Sequence, residues 1–194
     1  MPLNVLRNGT YDRKAWKNGG GITEDVWLFP EGATHDDFEI RLSLAEISRE
    51  GPFSAFAGID RTITLVGGDP FVLEFDDGTR QRMTQLAPFS FDGALTPVSR
   101  LDGAPSRDFN VMTRRGRWTH QATIQRGGEV ASLQLDGGAI GVVHAVTGKW
   151  RAAAGNSRET LGPRDTLIAS GEQGLILEAD AGSAAILAIL KPHH

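Results

Sequence analysis

The sequence of 194 residues contains no cysteine. This absence excludes a disulfide framework, a thiolate metal site and a cysteine nucleophile. No apolar run approaches the roughly 20 residues of a membrane-spanning helix. The first residues also lack the basic and apolar regions of a signal peptide. We therefore expect a cytoplasmic protein that has no membrane partner.

An excess of positive charge is also missing, since the formal net charge is −4. Proteins that bind nucleic acid usually present a basic face. The one basic cluster is short, and a solvated turn explains it better than a phosphate-binding surface. We therefore expect no nucleic-acid partner. The cluster consists of Arg114, Arg115, Arg117 and Trp118.

Helical periodicity is almost absent from the sequence, whereas short runs of β-branched and aromatic residues recur between Gly, Asp and Pro. Many short strands at a spacing of about 8–12 residues indicate a β-sandwich or barrel. Strands are predicted near 3–7, 24–29, 38–46, 61–66, 70–76, 80–83, 88–91, 95–100, 107–113, 118–124, 130–134, 139–147, 149–153, 158–161, 165–169, 174–178 and 184–190.

The two halves of the chain repeat one pattern, which is a strand, a glycine-marked turn, a return strand and a proline-containing turn. Repetition at about 80–85 residues indicates two similar barrels. The predicted domains are 1–104 and 105–194, with the linker composition at 101–106 between them. Two glycine-containing turns are predicted to close hairpins, at 67–69 and 76–78.

A run of three glycines, Gly19 to Gly21, is the strongest local signal. Glycine loses the most conformational freedom on folding, so such a run indicates positive φ or the close approach of a ligand. A plain turn before a strand, with Trp16 in the core, is the structural alternative. The flanking groups are an aromatic ring, a cation, an amide and a hydroxyl, from Trp16, Lys17, Asn18 and Thr23.

The chain resembles the HutD/Ves family of bacterial proteins over nearly its whole length. The resemblance rests on four segments that occur in the order found in the family, namely 16–24, 38–47, 51–61 and 108–114. The resemblance implies an all-β bicupin, with two cupin-like β-barrels or sandwiches in one chain. It also implies a link to histidine utilisation in the HutD branch and to stress response in the Ves branch. Family members are described as small-ligand-binding or regulatory accessories.

A metal site of the usual cupin type is not expected. Such sites use two histidines two residues apart, a glutamate and a later histidine, and this chain has no His-x-His. Arg61 would repel a metal at the corresponding place. His35 is expected in a solvated loop, while His120 and His144 are expected to be hydrogen-bonded strand residues. We predict neither a metal nor a cofactor.

Instead, the cations and polar groups of the family motifs suggest a pocket for a small anionic metabolite. Along 38–46, alternation places Arg41 and Ser43 on the face opposite Leu42. Arg61 could grip a carboxylate through two parallel hydrogen bonds, although a salt bridge is the alternative. The predicted ligand-binding residues are Trp16, Lys17, Asn18, Gly19, Gly20, Gly21, Thr23, Arg41, Ser43, Phe53, Ser54, Phe56 and Arg61.

Three functions remain open at the level of sequence, and no catalytic residue is assigned. The favoured one is a metal-free carboxylate-binding accessory or regulatory protein. A metal-independent cupin enzyme could use a buried Glu24 or Glu46 as its base, and a protein-interaction module is the third option. The second barrel looks degenerate, a homodimer is possible, and His193 and His194 receive no role.

Overall fold

The structure is a computed structural model that describes residues 3–16, 19–171 and 174–193. These residues form 19 β-strands and no α-helix. They divide into two compact units. We call Asp12–Arg117 the first barrel, and Met1–Tyr11 together with Trp118–His194 the second barrel. The all-β architecture predicted from the strand pattern is confirmed.

The first barrel contains a six-stranded and a four-stranded antiparallel sheet. In spatial order, the six-stranded sheet contains β2 (Asp12–Ala15), β3 (Gly21–Phe29), β4 (Ile40–Ile47), β11 (Ser106–Arg114), β6 (Ile59–Gly67) and β9 (Phe89–Asp92). The four-stranded sheet contains β5 (Gly51–Pro52), β10 (Val98–Leu101), β7 (Phe71–Glu74) and β8 (Arg80–Met83).

The second barrel contains a five-stranded and a four-stranded antiparallel sheet. The larger sheet runs β1 (Asn4–Leu6), β17 (Thr166–Ser170), β14 (Ile140–Thr147), β19 (Ala184–Pro192) and β12 (Trp118–Arg126). The smaller sheet runs β13 (Ala131–Gln134), β18 (Gly174–Ala179), β15 (Trp150–Ala154) and β16 (Ser157–Leu161).

The division between the barrels differs from the predicted boundary at 104/105. Strand β11 follows that boundary in sequence, yet it pairs with β4 and β6 at the centre of the first barrel. Strand β1 precedes it, yet it pairs with β17 of the second barrel. Arg7 strengthens this attachment, because its Nη1 donates to the backbone oxygen of Thr160 at 2.7 Å and to Asp165 at 2.9 Å.

Each barrel has an apolar core of its own. In the first barrel, Phe53, Ile63, Leu65 and Phe71 are buried in one cluster, against which Phe91 packs. In the second barrel, the fully buried Trp150 lies among small and aliphatic side chains. Burial of such side chains supplies most of the driving force for sheet packing. Members of the second cluster include Val143, Ala145, Leu161, Leu167, Leu177 and Ala185.

The predicted turn at 76–78 closes the β7–β8 hairpin, where Gly78 has a φ of 82°. The hairpin predicted at 67–69 is wrong, because β6 and β7 belong to different sheets. Gly68 makes the change of sheet possible. Its φ is 77°, and a Cβ there would lie 2.0 Å from the backbone oxygen of Pro105.

The predicted strands agree with the observed ones within a few residues at each end. Two strands were missed, namely β2, whose residues are all exposed, and β5, which has only 2 residues. Neither carries the buried alternation on which strand prediction depends. No helix within the described ranges has the length and apolar character needed to cross a membrane.

Candidate functional site

A cavity of about 510 Å³ opens in the first barrel. Its floor is the inward face of the six-stranded sheet, since alternate residues of a strand point to one side. Strand β4 contributes Arg41, Ser43 and Ala45, while β6 contributes Arg61 and β11 contributes Asn110 and Met112.

Strand register places the polar residues of the floor side by side. Arg41 pairs with Met112, which in turn pairs with Arg61 on the other side. Ser43 pairs with Asn110 in the next inward-facing row. Residues directly opposite on neighbouring strands have Cβ atoms only about 4.5–5.5 Å apart. Two buried arginines therefore flank one methionine.

The positive charge of Arg41 is neutralised by a buried carboxylate. Arg41 Nε donates to Asp25 Oδ1 at 2.8 Å, and Arg41 Nη2 lies 2.6 Å from the same oxygen. His35 Nε2 lies 2.7 Å from Asp25 Oδ2, and Lys14 Nζ lies 3.5 Å from it. Burial alone would raise the pKa of Asp25, but Arg41 and His35 outweigh it and hold this pKa below its usual value.

Arg61 has a different environment. It is 4% exposed, and within the described ranges its one side-chain hydrogen bond runs from Nε to Asn110 Oδ1 at 2.9 Å. No described carboxylate lies within ion-pair distance of it. Burial lowers the pKa of Arg61 to about 10, with Asp108 opposing this shift and Arg41 adding to it. The guanidinium therefore stays protonated at neutral pH.

Asn110 connects Arg61 to a second buried carboxylate. Its Nδ2 donates to Asp108 Oδ1 at 2.6 Å, while its Oδ1 accepts the bond from Arg61. Asp108 is fully buried, and its Oδ2 has no hydrogen-bond partner among the described residues. Burial raises the pKa of Asp108 to about 7, because Arg61 and Asn110 offset only part of the desolvation cost.

Aromatic rings form the apolar wall of the cavity. The Arg61 guanidinium lies 4.7 Å from the centroid of Phe53 and 5.3 Å from that of Phe91, and Arg41 lies 5.6 Å from that of Phe56. Trp16 meets Phe53 edge to face. Rings that cover a cation in this way exclude water and strengthen its interaction with an anion.

The cavity brings together most of the residues predicted from sequence. Among the lining residues are Trp16, Thr23, Arg41, Ser43, Phe53, Ser54, Phe56 and Arg61. Lys17 and Asn18 lie outside the described residues. Trp16 Nε1 donates to Thr23 Oγ1 at 2.8 Å, which fixes the indole beside the cavity.

The three glycines do not line the cavity, although we expected their amides to face a ligand. The Gly19 amide donates to the Trp16 carbonyl, and the Gly20 carbonyl accepts bonds from Ser48 and Arg49. At Gly21, a Cβ would lie 2.2 Å from the backbone oxygen of Glu46 and 3.2 Å from the Trp16 ring. Gly21 therefore serves the close packing of β3 against β4.

Sequence reasoning missed the charged and polar partners of the two arginines. Asp25 and His35 were not proposed as site residues, nor were Asp108 and Asn110. A signal existed in β11, where Asp108, Asn110 and Met112 alternate with Phe109 and Val111 as Arg41 and Ser43 alternate with leucines in β4. No comparable sequence signal marks Asp25, because its role depends on pairing with Arg41.

The glutamates considered as general bases are not among the lining residues. Glu46 instead lies 3.9 Å from Arg107. The described residues contain no group of three or more His, Asp or Glu side chains placed to hold a metal ion. Chemically, the cavity offers an uncompensated guanidinium, hydroxyls, an amide and aromatic walls.

Comparison with known proteins assigns the family. The sequence model of HutD matches residues 8–187. Protein Ves of Escherichia fergusonii is 34% identical over 152 residues, which cover 78% of this chain and 71% of the relative. An uncharacterized 21.2 kDa protein in the hutC 3′ region of Pseudomonas putida is 32% identical over 174 residues, which cover 90% of each.

Solved structures agree with this assignment. HutD from Pseudomonas fluorescens SBW25 superposes with a TM-score of 0.86 at 30% identity, over 99% of this chain and 100% of that one. A cupin 2 conserved barrel domain protein from Leptotrichia buccalis shares the fold alone, with a TM-score of 0.57 at 7% identity over 97% of this chain and 100% of that one. With its cupin-type all-β fold, the chain belongs to the HutD/Ves family.

Proposed function

We propose that the first barrel is a receptor for a small carboxylate and that the protein acts as a metal-free accessory or regulator. The observation that carries this proposal is Arg61, a buried cation that borders the cavity and has no carboxylate at ion-pair distance among the residues that the structure describes. An isolated buried charge is costly unless it is paired. A bound carboxylate would supply the missing charge and accept two parallel guanidinium hydrogen bonds.

The rest of the cavity suits such a ligand. Nε of Arg61 is held by Asn110, which leaves the Nη groups to face an anion. Ser43 and Asn110 supply polar contacts beside the cation, while Phe53 and Trp16 cover the ligand with apolar surface. Arg41 contributes less net charge than Arg61, because Asp25 already pairs with it.

A link to histidine utilisation is proposed from the relatives. The Pseudomonas putida relative is described by its place in the hutC 3′ region. HutD of Pseudomonas fluorescens SBW25 has been solved in a formate condition, and formate is the simplest carboxylate. Formylated or formiminated glutamate and urocanate are therefore reasonable ligands for this chain. Binding one of them would let the protein buffer an intermediate or report the load on the pathway.

Calorimetric titration of these carboxylates, with formate included, tests the proposal. Arg61→Met keeps the bulk of the side chain and removes its charge, so we expect affinity to fall by about 30-fold or more, since hydrogen bonds to charged groups contribute roughly 1.5–3 kcal/mol. Arg61→Lys keeps the charge without the planar fork and should give an intermediate loss.

The matched control is Arg115→Met. Arg115 belongs to the same barrel but pairs on the surface with Asp60 and Asp92, away from the cavity lining. Its replacement should leave carboxylate affinity unchanged. Wild-type protein that binds none of the carboxylates at millimolar concentration, or a folded Arg61→Met variant with full affinity, would refute the receptor function.

A second candidate, a metal-independent enzyme, is favoured by one observation. His35 lines the cavity and is oriented by the buried Asp25, an arrangement suited to acid–base catalysis. Turnover of a carboxylate intermediate that is lost in His35→Gln, while binding persists, would support this enzyme. Binding without turnover in the wild type would leave the receptor as the better description.

A further inference from the structure

We propose that the cavity takes up its anionic ligand together with a proton, and that Asp108 is the group that receives this proton. The inference rests on the proposed function and names a property of the same site. It follows from the buried series Asp108–Asn110–Arg61, in which a carboxylate, an amide and a guanidinium are joined by two hydrogen bonds of 2.6 and 2.9 Å.

Asp108 is poorly satisfied as a carboxylate. Of its two oxygens, Oδ1 accepts one bond from Asn110, whereas Oδ2 has no partner within the described part of the chain. Its register neighbours are Ala45 on β4 and Leu65 on β6, and neither can donate a side-chain hydrogen bond. An ionised carboxylate in such surroundings is stabilised mainly by nearby positive charge.

That positive charge comes from the arginines of the floor. Arg61 on β6 is linked to Asp108 through Asn110 and favours its ionised form, whereas Arg41 on β4 is already paired with Asp25. His35 and Lys14 are the other titratable groups at this cavity, and both lie beside Asp25. In the unliganded barrel, Arg61 is therefore the cation that favours the ionised form of Asp108.

A ligand carboxylate on Arg61 would remove this support. The guanidinium would then be shared between two anions, and the second negative charge would disfavour ionisation of Asp108. Because burial already places the pKa of Asp108 near 7, a further rise makes the side chain bind a proton at neutral pH. By linkage, the ligand must bind more tightly at low pH than at high pH.

The experiment titrates formate into uniformly ¹³C-labelled protein between about pH 6 and pH 8.5, a range in which a small carboxylic acid stays ionised. The Asp108 side-chain carboxyl signal, assigned through bonds to its backbone, reports protonation directly. We expect saturating formate to raise the Asp108 pKa by about one unit, and formate affinity to fall by about tenfold across the range.

Variants identify the proton acceptor. Asp108→Asn should bind formate with nearly the same affinity at both ends of the range. His35→Gln should retain the pH dependence, which separates the contribution of Asp108 from that of the imidazole that lines the cavity. Asp60→Asn makes the same chemical change at an exposed position of β6 and should behave like wild type.

The outcomes separate the two proposals. If Arg61→Met abolishes formate binding, but saturating formate leaves the Asp108 pKa unchanged and the affinity does not vary with pH, the proton uptake is overturned and the receptor function stands. No formate binding by wild type at any pH overturns both. The Asp108 signal is read from wild-type protein, so the test does not depend on whether Asp108→Asn folds.

Discussion

The two barrels share an architecture of paired antiparallel sheets, yet they differ in what faces the interior of the larger sheet. In the first barrel, the central strands contribute Arg41, Ser43, Arg61 and Asn110, and a cavity remains. In the second, the central strands contribute aliphatic side chains that pack around Trp150, among them Val143, Ala145, Leu167, Ala185 and Leu187. The contrast shows that the fold tolerates either a packed or a polar interior.

Each barrel also buries an ionisable group whose pKa is strongly shifted, and the two shifts have different consequences. Asp108 in the first barrel titrates near neutrality, beside a cation that borders a cavity. His144 in the second barrel is 1% exposed, and its Nδ1 lies 2.9 Å from Thr166 Oγ1. Burial, with the charge of Arg164, lowers the pKa of His144 to about 3, so its imidazole stays neutral. A group that stays neutral can be buried in an apolar core, whereas a group that titrates near neutral pH can change its protonation when a ligand binds.

The largest loss of stability is expected from a substitution in the packed interior of the second barrel. Trp150 is fully buried, and its Nε1 donates to the Thr147 carbonyl at 3.1 Å. Trp150→Ala should lower the free energy of unfolding by about 3–5 kcal/mol, as large-to-small core changes do. Because Trp150 belongs to the second barrel, formate affinity should be unchanged in the folded fraction. Chemical denaturation and formate titration measure the two effects.

Val130→Ala is the control for this change, since Val130 is 65% exposed in the same barrel. An exposed substitution should alter stability by less than about 0.5 kcal/mol. If Trp150→Ala weakened formate binding as strongly as Arg61→Met does, the assignment of binding to the first barrel alone would fail.

In the polar interior of the first barrel, stability should depend most on the Arg41–Asp25 ion pair. Asp25→Asn leaves Arg41 buried without its carboxylate, and removing one partner of a buried pair costs about 3–5 kcal/mol. Because the amide retains hydrogen-bonding groups, we expect a loss near the low end, about 3 kcal/mol. The cavity gains an uncompensated cation, so formate affinity should rise while stability falls. Denaturation midpoints and formate titration test the two directions.

Glu74→Gln provides the contrast for Asp25→Asn, because the Glu74–Arg100 pair is exposed. Exposed pairs are screened by solvent, so the denaturation midpoint should barely move. Weaker formate binding in Asp25→Asn, with the fold intact, would show that Asp25 serves the ligand directly rather than by neutralising Arg41.

Taken per pH unit, the smallest expected effect is the dependence of stability on pH, and here the two barrels act in opposite directions. His144 has a folded pKa below its usual 6.5, so its stabilisation is present above that value and is lost as the pH falls. Asp108 has a folded pKa above its usual 3.8, so its stabilisation is present below that value and is lost as the pH rises towards 7.

Single variants should separate these opposing slopes. Relative to wild type, Asp108→Asn should gain stability as the pH rises from about 4 to 7, by at most about 1.4 kcal/mol per pH unit. His144→Gln should show the reverse trend, with its advantage over wild type growing as the pH falls below 6.5. Urea denaturation at several pH values gives both slopes. Parallel pH profiles for all three proteins would contradict the assignment of these groups.

Much of the architecture was accessible from sequence because its signals are local. Alternation in 38–46 predicted that Arg41 and Ser43 share a face, and both line the cavity. Exposed β2 carries no such pattern, and the boundary at 104/105 was displaced because β11 returns to pair with β4. Pairing between segments that are distant in the chain produces no pattern among neighbouring residues from which it could be predicted.

The amino-acid sequence by itself determined the strand pattern, the family, and the set of polar side chains that face inward on β4, because these depend on alternation and on neighbouring residues. Only the tertiary structure decided which of the two arginines, Arg41 or Arg61, pairs with a carboxylate. Asp25 reaches Arg41, and Asn110 separates Arg61 from Asp108, through the register of four strands drawn from residues 21–114. The net charge of a cavity depends on such pairings, and they exist only once the sheet has formed.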